Sequence, residues 1–372
     1  MKIGIDARPL IAAPTGIGVY LDHALAALDN IDGDHRYWLI SSDAVHAGVQ
    51  GPRWRIISGG LSKPFVGSLW MQGLAPVWAR RLHLDLFWGT RHHLPLGLPA
   101  GVGCLLTIHD VVHRRHPQTM SIANLVLERV LMGLSLRRAD RVLADSRATA
   151  DDLERYYPFA RRKVRVAYPG LPGGSAVTAP PCMAGLPERF LLFVGTLEPR
   201  KNFARLLKAY LRGDPRGHGV HLVVAGGQGW GTTDAIRAMT SPAARDFVHR
   251  LGYLSRAELF GLYRRALGVV FPSLYEGFGF PVLEAMACGV PVITSRVSSM
   301  PETAGDAALL VDPYDLDSIA QALERLIREP DLRRELIRRG YRRCRLFSWR
   351  AHAMALLSAF AELAPAPKRP SA

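Results

Sequence analysis

Short apolar runs alternate with longer stretches of helical character along the whole chain. An apolar run of strand length, bounded by polar or turn-forming residues, predicts a strand. In the first half, such runs cover Lys2–Asp6, 37–41, 84–88, 104–108, Arg141–Ala144 and Val164–Val166, with helical stretches such as 19–28 and 125–137 between them. This alternation predicts a parallel sheet with helices on both faces.

The same alternation starts again in the second half. Its predicted strands are Phe190–Val194, His221–Ala225, 247–251, Gly268–Phe271, 290–294 and Ala308–Val311, and its predicted helices include 202–211, Arg256–Arg265, 281–287 and Leu316–Arg328. Residues 168–188 are rich in proline and glycine, which can continue neither a sheet nor a helix. We therefore predict an α/β domain at 1–170, a linker at 171–188, a second α/β domain at 189–345, and a terminal segment at 346–372 that combines one helix with a disordered tail.

Length and composition agree with this division. A chain of 372 residues suits two domains better than one α/β core. Its 48% hydrophobic and 21% charged residues are typical of a soluble globular protein, and no uncharged apolar stretch of about 18 residues predicts a transmembrane helix. The start of the chain fits a first strand rather than a signal peptide. Four widely separated cysteines, Cys104, Cys182, Cys288 and Cys344, favour reduced thiols in a cytoplasmic protein.

The net charge of +15 is shared by both halves. Residues 1–185 carry 21 Lys and Arg against 14 Asp and Glu, and residues 186–372 carry 26 against 18. Proteins that bind nucleic acid more often concentrate such charge on one face, so no nucleic acid is expected as a partner. The densest run comprises Arg333, Arg334, Arg338, Arg339, Arg342, Arg343 and Arg345. It fits either a solvated helix face or a surface attracted to an anionic membrane or a phosphate-bearing acceptor.

The most informative segment starts where a predicted strand ends, at Phe271. A glycine-rich loop holds Glu276, a helix opens with Pro281 in its first turn, and Glu284 is expected in that same turn. Backbone N–H groups at the start of a helix suit a phosphate or a sugar hydroxyl, and here they belong to Gly277, Phe278, Gly279 and Phe280. Two carboxylates would repel an anion, so hydrogen bonding to sugar and ribose hydroxyls is their natural use.

This segment resembles the signature of family 4 glycosyltransferases, in which two glutamates flank a Gly-Phe-Gly loop with seven residues between them. The resemblance extends from about residue 3 to residue 350. It implies the GT-B fold, in which two Rossmann-like domains place their parallel sheets on either side of a cleft, and a final helix that crosses back to the first domain. It also implies that Glu276 contacts the donor sugar, that Glu284 contacts the ribose, and that the 277–280 backbone lines the sugar and diphosphate.

A second block follows the first strand of the second half. Gly195 allows close backbone approach there, and two cations, Arg200 and Lys201, stand before the next helix, where they could neutralise a diphosphate leaving group. Lys201 matches the family lysine that binds donor phosphate. Many members carry arginine at the position of Thr196, so either Arg200 supplies the second charge or Thr196 donates a hydroxyl.

The first half carries matching features. Gly16 and Gly18 are expected in a loop before the first helix, which resembles the family's glycine loop beside donor phosphate and acceptor. His109 closes a central strand and coincides with a family histidine near the reacting sugar, where it would bind the sugar or position the acceptor. Asp110 after it equally fits a capping role. In the second half, Tyr253 either stacks on the nucleotide base or belongs to the core. The resemblance thus assigns reaction-centre roles to His109, Lys201 and Glu276.

The resemblance implies a retaining hexosyltransferase that needs no cofactor and no metal. The best match is to bacterial enzymes of surface polysaccharide or lipopolysaccharide O-antigen synthesis, with GDP-mannose as donor and a lipid-linked saccharide as acceptor. Other GDP-, UDP- or dTDP-sugars remain open, as do a sugar phosphorylase, a nucleotide-sugar epimerase and a non-catalytic basic binding protein. Residues 69–81 interleave Trp and Arg with apolar residues. They fit either a helix on the cytoplasmic face of the inner membrane or a partly buried amphipathic helix.

Overall fold

A computed structural model describes residues 1–11, 16–59, 64–171, 185–213, 217–231 and 233–364. The chain divides into two compact units. The first unit contains Met1–Arg114, Met120–Gly170 and Ser348–Ala372, and the second contains Arg115–Thr119 and Leu171–Phe347. Most of the predicted linker, and the predicted tail from residue 365 onward, lie outside the described residues.

The described residues of the first unit form a seven-stranded parallel sheet in the order β3-β2-β1-β4-β5-β6-β7. Its strands are β1 Lys2–Asp6, β2 Arg36–Ser41, β3 Trp54–Ser58, β4 Leu86–Gly89, β5 Gly103–Ile108, β6 Arg141–Ala144 and β7 Val164–Val166. The sequence predicted all of them except β3. This edge strand exposes most of its side chains, so it lacks the apolar run by which buried strands are found.

The helices of the first half are α1 Gly16–Ile31, α2 Pro64–Leu82, α3 Val112–Arg115, α4 Ile122–Arg138 and α5 Arg147–Tyr156. Helix α1 begins earlier than expected, so Gly16 and Gly18 lie in its first turn and the prediction of a loop at these two glycines is wrong. Residues 12–15, just before it, lie outside the described residues. The last helix of the chain, α13 Trp349–Glu362, belongs to the first unit, where His352 Nε2 lies 2.8 Å from the Tyr20 hydroxyl of α1.

The described residues of the second unit form a six-stranded parallel sheet in the order β10-β9-β8-β11-β12-β13. Its strands are β8 Phe190–Val194, β9 His221–Ala225, β10 Val248–Gly252, β11 Gly268–Phe271, β12 Val292–Ser295 and β13 Ala308–Val311. Its helices are α6 Phe203–Arg212, α7 Thr233–Met239, α8 Arg256–Arg265, α9 Phe280–Ala287, α10 Met300–Ala304, α11 Leu316–Arg328 and α12 Pro330–Cys344. In both units the fourth strand follows the first across the sheet, which is the Rossmann strand order.

The core of the second unit lies on both faces of its sheet. Leu191 and Phe193 of β8 are buried with the residues of α6 and α11, while Phe190 and Leu192 are buried with residues of α8 and α9 on the opposite face. Successive strand residues point to opposite faces, and burying a leucine or phenylalanine side chain contributes about 1.5–3 kcal/mol. The prediction of a sheet covered on both faces is confirmed.

All of the arginine-rich run except Arg345 lies on α12, and acidic side chains pair with three of its arginines, Arg334, Arg338 and Arg339. Arg338 and Arg339 both pair with Glu335 on the same helix, at 2.6 Å each. Arg334 pairs with Asp331, and Arg333 donates to backbone carbonyls at the end of α11. These contacts favour the solvated helix face over an anion-binding surface.

Candidate active site

The predicted donor-site residues of the second unit follow two neighbouring strands. Strands β8 and β11 lie side by side where the strand order reverses, and ligands bind at that point of open α/β sheets. Strand β8 leads into Gly195 and then a 3-10 turn at Pro199–Lys201, while β11 leads into the loop at 272–279. The N–H of Leu274 donates to the carbonyl oxygen of Arg200 at 2.8 Å, so the two segments touch directly.

Two glycines let the backbone pass closely at this edge. Gly195 has a φ of +137°, and Gly226, after the neighbouring strand β9, has a φ of +150°. A Cβ atom at Gly226 would lie 2.1 Å from the carbonyl oxygen of Gly195, which is too close for any side chain. The close backbone approach expected at Gly195 is therefore present, and Gly226 is its partner. Thr196, the next residue after Gly195, is exposed.

Glu276 lies between two cations. Its Oε1 is 2.7 Å from Lys201 Nζ, and its Oε2 is 2.7 Å from Arg200 Nη1. Arg200 also pairs with Glu198 at 2.6 Å and donates to the Tyr275 carbonyl oxygen at 2.9 Å. Three residues predicted from two separate motifs thus form one cluster, in which carboxylates already satisfy both cations.

This cluster is nearly closed to solvent, since the side chains of Glu276 and Lys201 are 10% and 14% exposed. Burial alone would raise the pKa of Glu276, but the charges of Arg200 and Lys201 outweigh it and hold that pKa below its ordinary value. Lys201 Nζ also lies 4.9 Å from the centre of the Phe271 ring. Two fixed cations share one carboxylate, so each can replace part of its contact with that carboxylate by a contact with a diphosphate oxygen. No further charged side chain has to move into the site.

The loop after Glu276 is held by hydroxyl groups that the sequence did not reveal. Ser299 Oγ donates to the carbonyl oxygens of Glu276 and Phe278, at 2.9 and 3.1 Å, and Thr303 Oγ1 donates to that of Phe278. Gly279 has a φ of +108°, and a Cβ atom there would lie 2.4 Å from Met300 Cε. The glycine and the hydroxyls of the α10 region therefore fix the loop that leads into α9.

Glu284 occupies a different place from the one expected. Helix α9 begins at Phe280, so Glu284 lies in its second turn, and the prediction of a first-turn position is wrong. Its carboxylate is 3.0 Å from the Tyr263 hydroxyl and 3.3 Å from Arg256 Nη1, both on α8. Burial raises the pKa of Glu284, although Arg256 acts in the opposite direction. Tyr263 and Arg256 lie seven residues apart, which places them on one face of the helix. This spacing was the sequence signal that both could contact the same partner, Glu284.

Tyr253 follows β10 at the same edge of the sheet. Its side chain is 62% exposed, so the alternative that places it in the core is wrong. An exposed ring at the carboxyl end of a strand leaves base stacking as its predicted role.

In the first unit, His109 follows β5 and is fixed at both ring nitrogens. Nδ1 lies 2.6 Å from Asp145 Oδ2, and Nε2 lies 2.9 Å from the carbonyl oxygen of Thr90. The Tyr20 ring packs edge-on against it, with ring centres 4.8 Å apart. Both nitrogens face acceptor atoms, so this arrangement orients the ring tightly and leaves neither nitrogen to act as a base. The segment 144–146 also resembles the family, but the pairing of Asp145 with His109 was not predicted, because 36 residues separate the two.

Two neighbours of His109 have capping roles. Asp110 Oδ1 accepts a hydrogen bond from the N–H of Val112 at 3.0 Å, at the start of α3, as the capping alternative predicts. Ser146 Oγ accepts one from the N–H of Thr149 at 3.0 Å and caps α5. These contacts fix the backbone beside His109 and Asp145.

Within the residues that the structure describes, no group of three or more His, Cys, Asp or Glu side chains could hold a metal ion. The same residues include no helix with the length and apolarity needed to span a membrane. The described cysteines, Cys104, Cys288 and Cys344, are free thiols. Cys182 lies outside the described residues.

Comparison with known proteins places the chain in a family. The family described as "Glycosyltransferase Family 4" matches residues 14–172, and the one described as "Glycosyl transferases group 1" matches residues 185–343. The chain belongs to glycosyltransferase family 4. The resemblance carried by the two glutamates and the Gly-Phe-Gly loop is therefore confirmed.

Relatives in this family include two curated bacterial proteins. The O-antigen chain mannosyltransferase B of Escherichia coli is 39% identical over 165 residues, which cover 44% of this chain and 43% of the relative. The D-inositol 3-phosphate glycosyltransferase of Saccharomonospora viridis is 32% identical over 240 residues, which cover 60% of this chain and 56% of the relative. The match thus spans only about half the length of each relative.

Solved structures establish the fold class of this family 4 member. Sucrose-phosphate synthase from Thermosynechococcus elongatus matches it with a TM-score of 0.78, over 98% of this chain and 99% of that chain, at 22% identity. At this identity the likeness shows the fold alone. That fold is the GT-B fold, so the predicted fold class is confirmed.

Proposed function

We propose that this family 4 protein is a retaining mannosyltransferase of surface polysaccharide synthesis. Its donor would be GDP-mannose and its acceptor a lipid-linked saccharide. The observation that carries the proposal is the 39% identity to an O-antigen chain mannosyltransferase, together with the cluster of Arg200, Lys201 and Glu276 at the carboxyl edge of the second sheet. Other GDP-sugars and UDP- or dTDP-sugars are the alternative donors.

The proposed reaction uses the cations of this cluster. The bond between the anomeric carbon and the diphosphate oxygen breaks, and an acceptor hydroxyl oxygen bonds to that carbon on the same face of the sugar. The departing diphosphate oxygen takes the hydroxyl proton. Lys201 and Arg200 would stabilise the negative charge that develops on the leaving group, because both already stand fixed in a nearly dry site. On this proposal, transfer needs no added metal.

Glu276 and Glu284 would divide the remaining donor contacts. Glu276 would accept hydrogen bonds from sugar hydroxyls while it keeps part of its contact with the cations. Glu284 would accept from the ribose, held in orientation by Tyr263 and Arg256. A carboxylate oriented by a second layer of donors binds hydroxyl groups with little loss of side-chain freedom.

An exposed apolar stripe on α4 supports peripheral association with the cytoplasmic face of an anionic membrane. Ile122, Val126, Val130 and Leu134 recur every fourth residue, and their exposed fractions are 81%, 56%, 53% and 39%. Residues at this spacing lie on one face of a helix. Such a face gains stability when it enters the boundary between headgroups and acyl chains.

A basic cavity adjoins this stripe. It has a volume of about 410 Å³, and Val130 and Leu134 line it together with Arg114, Arg129 and Arg137. No acidic residue occurs among the described residues that line it. An apolar stripe next to clustered arginines is complementary to a surface of anionic lipids.

The expectation for residues 69–81 changes accordingly. These residues belong to α2, where Trp70 is only 5% exposed and Trp78 is half-buried. The burial of Trp70 favours the partly buried alternative for α2, although Leu69 and Leu74 of the same helix are 73% and 45% exposed. We assign membrane association to α4 instead.

Calorimetry with GDP, UDP, dTDP and ADP, in the presence of EDTA, tests the donor site. Preference for GDP would support the proposal, and preference for another nucleotide would replace mannose with the corresponding class of sugar donor. The absence of binding at millimolar concentration would instead favour the basic binding protein. Incubation with GDP-mannose and a mannosyl lipid then tests the reaction. An α-linked product supports retention, whereas sugar phosphate or epimerised donor without transfer supports a phosphorylase or an epimerase.

A further inference from the structure

A strained turn stands beside His109 in the first unit. Strand β4 ends at Gly89, and His92 follows with a φ of +59°, in the left-handed region that residues other than glycine rarely occupy. The N–H of His93 donates to the carbonyl oxygen of Arg91 at 2.7 Å, which closes a three-residue turn with His92 at its centre. Strained backbone conformations of this kind cluster at functional sites.

The place of this turn in the fold matches a ligand site. Strands β1 and β4 are neighbours at the point where the order of the first sheet reverses. The segment after β4 therefore lies at the carboxyl edge where open α/β sheets bind their ligands. The corresponding edge of the second sheet carries Lys201 and Glu276.

Glu128 of α4 holds the two histidines of the turn. Its Oε2 is 3.5 Å from His92 Nδ1 and 3.2 Å from His93 Nε2. Burial opposes a charge on His92, but Glu128 outweighs it and raises the pKa of His92 above its ordinary value. The pKa of Glu128 is held low, because the two histidines outweigh the effect of its burial.

The second nitrogen of His92 has no such contact. Nε2 is buried and forms no hydrogen bond within the part of the chain that the structure describes, and the side chain is 12% exposed. A buried polar nitrogen without a hydrogen-bond partner is destabilising, and more so when the group is charged. An oriented but unsatisfied nitrogen at a ligand-binding edge indicates that the bond is completed by a ligand.

His92 and His109 are adjacent in the fold, and they differ in how many of their ring nitrogens have a partner. Their ring centres are 5.4 Å apart. Asp145 and Thr90 occupy both nitrogens of His109, whereas Glu128 occupies only one nitrogen of His92. Of this histidine pair, His92 is thus the one that can offer a ring nitrogen to a substrate.

We propose that His92 Nε2 forms a hydrogen bond with a sugar hydroxyl of the saccharide acceptor. This inference rests on the proposed glycosyltransferase function and names a residue that binds the acceptor in the first unit. Of the charged groups that act on the two rings, the carboxylates of Glu128, Asp110 and Asp145 outnumber Arg91. A hydroxyl therefore fits better than a phosphate, which this excess of negative charge would repel. The His92 ring then packs against the ring of His109, whose own orientation is fixed.

The test uses the full chain, GDP-mannose and octyl α-mannopyranoside as acceptor. In His92→Ala we expect the acceptor KM to rise about 5- to 100-fold, as for the loss of a buried hydrogen bond whose partner is left unsatisfied. The kcat should change less, and the affinity for GDP should stay within twofold of wild type. His92→Gln keeps an N–H donor and should recover part of the loss in KM.

His83→Ala is the matched control. His83 also has a left-handed backbone, with a φ of +51°, but it is exposed and precedes β4 rather than following it. It should leave the acceptor KM unchanged. An acceptor KM within twofold of wild type in His92→Ala would overturn the proposal, as would a fall in kcat with KM unchanged.

A second measurement does not depend on how well the variants fold. In wild-type protein labelled at histidine nitrogens, the Nε2 resonance of His92 should shift as octyl α-mannopyranoside is added, and the resonances of His109 should shift less. An unmoved Nε2 resonance at saturating acceptor overturns the His92 assignment. Failure of wild type to transfer sugar from any nucleotide-sugar overturns the proposed function instead, so the two failures are distinguishable.

Discussion

Lys201 Nζ and Glu276 Oε1 lie 2.7 Å apart in a site where both side chains are almost fully buried. The two residues come from segments 75 positions apart, which follow neighbouring strands of the second sheet. The contact has two consequences. It fixes the lysine ammonium where a diphosphate would leave, and it places the carboxylate that would bind the donor sugar within reach of the same phosphate.

Removal of the lysine charge should impair the reaction more than the fold. Lys201→Met retains the packing against Phe271 but leaves Glu276 paired only with Arg200. We expect kcat to fall by about 10²–10³, as when one charge-stabilising donor is removed, and the affinity for GDP to fall at least tenfold. Lys208→Met on α6, where the lysine is exposed, is the matched control and should match wild type. Full activity in Lys201→Met would show that Lys201 does not stabilise the diphosphate leaving group.

A pair of variants shows whether Arg200 or Thr196 makes the second contact with the donor phosphate, next to that of Lys201. Arg200 is fixed by Glu198 and Glu276, whereas Thr196 is exposed at the end of β8. We expect Arg200→Ala to weaken binding of GDP about tenfold or more and binding of GMP much less, because the lost charge faces the diphosphate. Thr196→Val should alter both affinities less than twofold. Calorimetry checks both values, and the opposite ranking would assign the contact to Thr196.

Much of the fold could be predicted because its strands are buried on both faces. Strands β8 and β11 consist entirely of buried apolar residues, and such runs are visible in the sequence. Strand β3 was missed because it has one covered edge and mostly exposed side chains. The start of α1 was placed too late, because Gly16 and Gly18 favour a loop by local propensity and tertiary packing overrides that preference.

The candidate site divides in the same way. Glu276 and Lys201 could be found because each lies in a local motif. The residues that hold this loop in place could not be found in the sequence, because Ser299 and Thr303 contact it from more than 20 residues away. The contact of Asp145 with His109, the role of Glu128 and the unsatisfied nitrogen of His92 were not predicted either, because they exist only once the strands have placed the loops side by side. Local sequence shows which residues carry the chemistry, while their orientation is a tertiary property.

The α4 stripe makes a prediction about membranes. Val126→Glu and Val130→Glu place charge on the exposed apolar face. Each should weaken binding to vesicles of phosphatidylglycerol and phosphatidylethanolamine by about tenfold, since burial of a charge in that boundary is costly. Ile56→Glu is the control, because Ile56 is 53% exposed on β3 of the same unit. Flotation of the variants with vesicles measures the effect, and equal loss in all three would assign it to net charge rather than to α4.

For the variant Glu284→Gln, we predict that stability and the affinity for GDP change in opposite directions. Burial raises its pKa, so the folded state disfavours the charged carboxylate. The folded protein therefore binds a proton more tightly than the unfolded chain does, and this contribution to stability is lost as pH rises through the raised pKa. Glu284→Gln has no such loss, so its stability relative to wild type should increase from pH 4 to pH 8.

On the proposed ribose contact, the same variant should bind GDP at least tenfold more weakly, because an amide offers one acceptor oxygen where a carboxylate offers two. Asp317→Asn on the exposed start of α11 is the control and should alter neither quantity. Chemical unfolding at each pH and calorimetry with GDP measure the two effects. A Glu284→Gln variant that lost stability with rising pH as wild type does would exclude Glu284 as the titrating group. Unchanged affinity for GDP would exclude it from the ribose site, because nothing else about α9 changes in the variant.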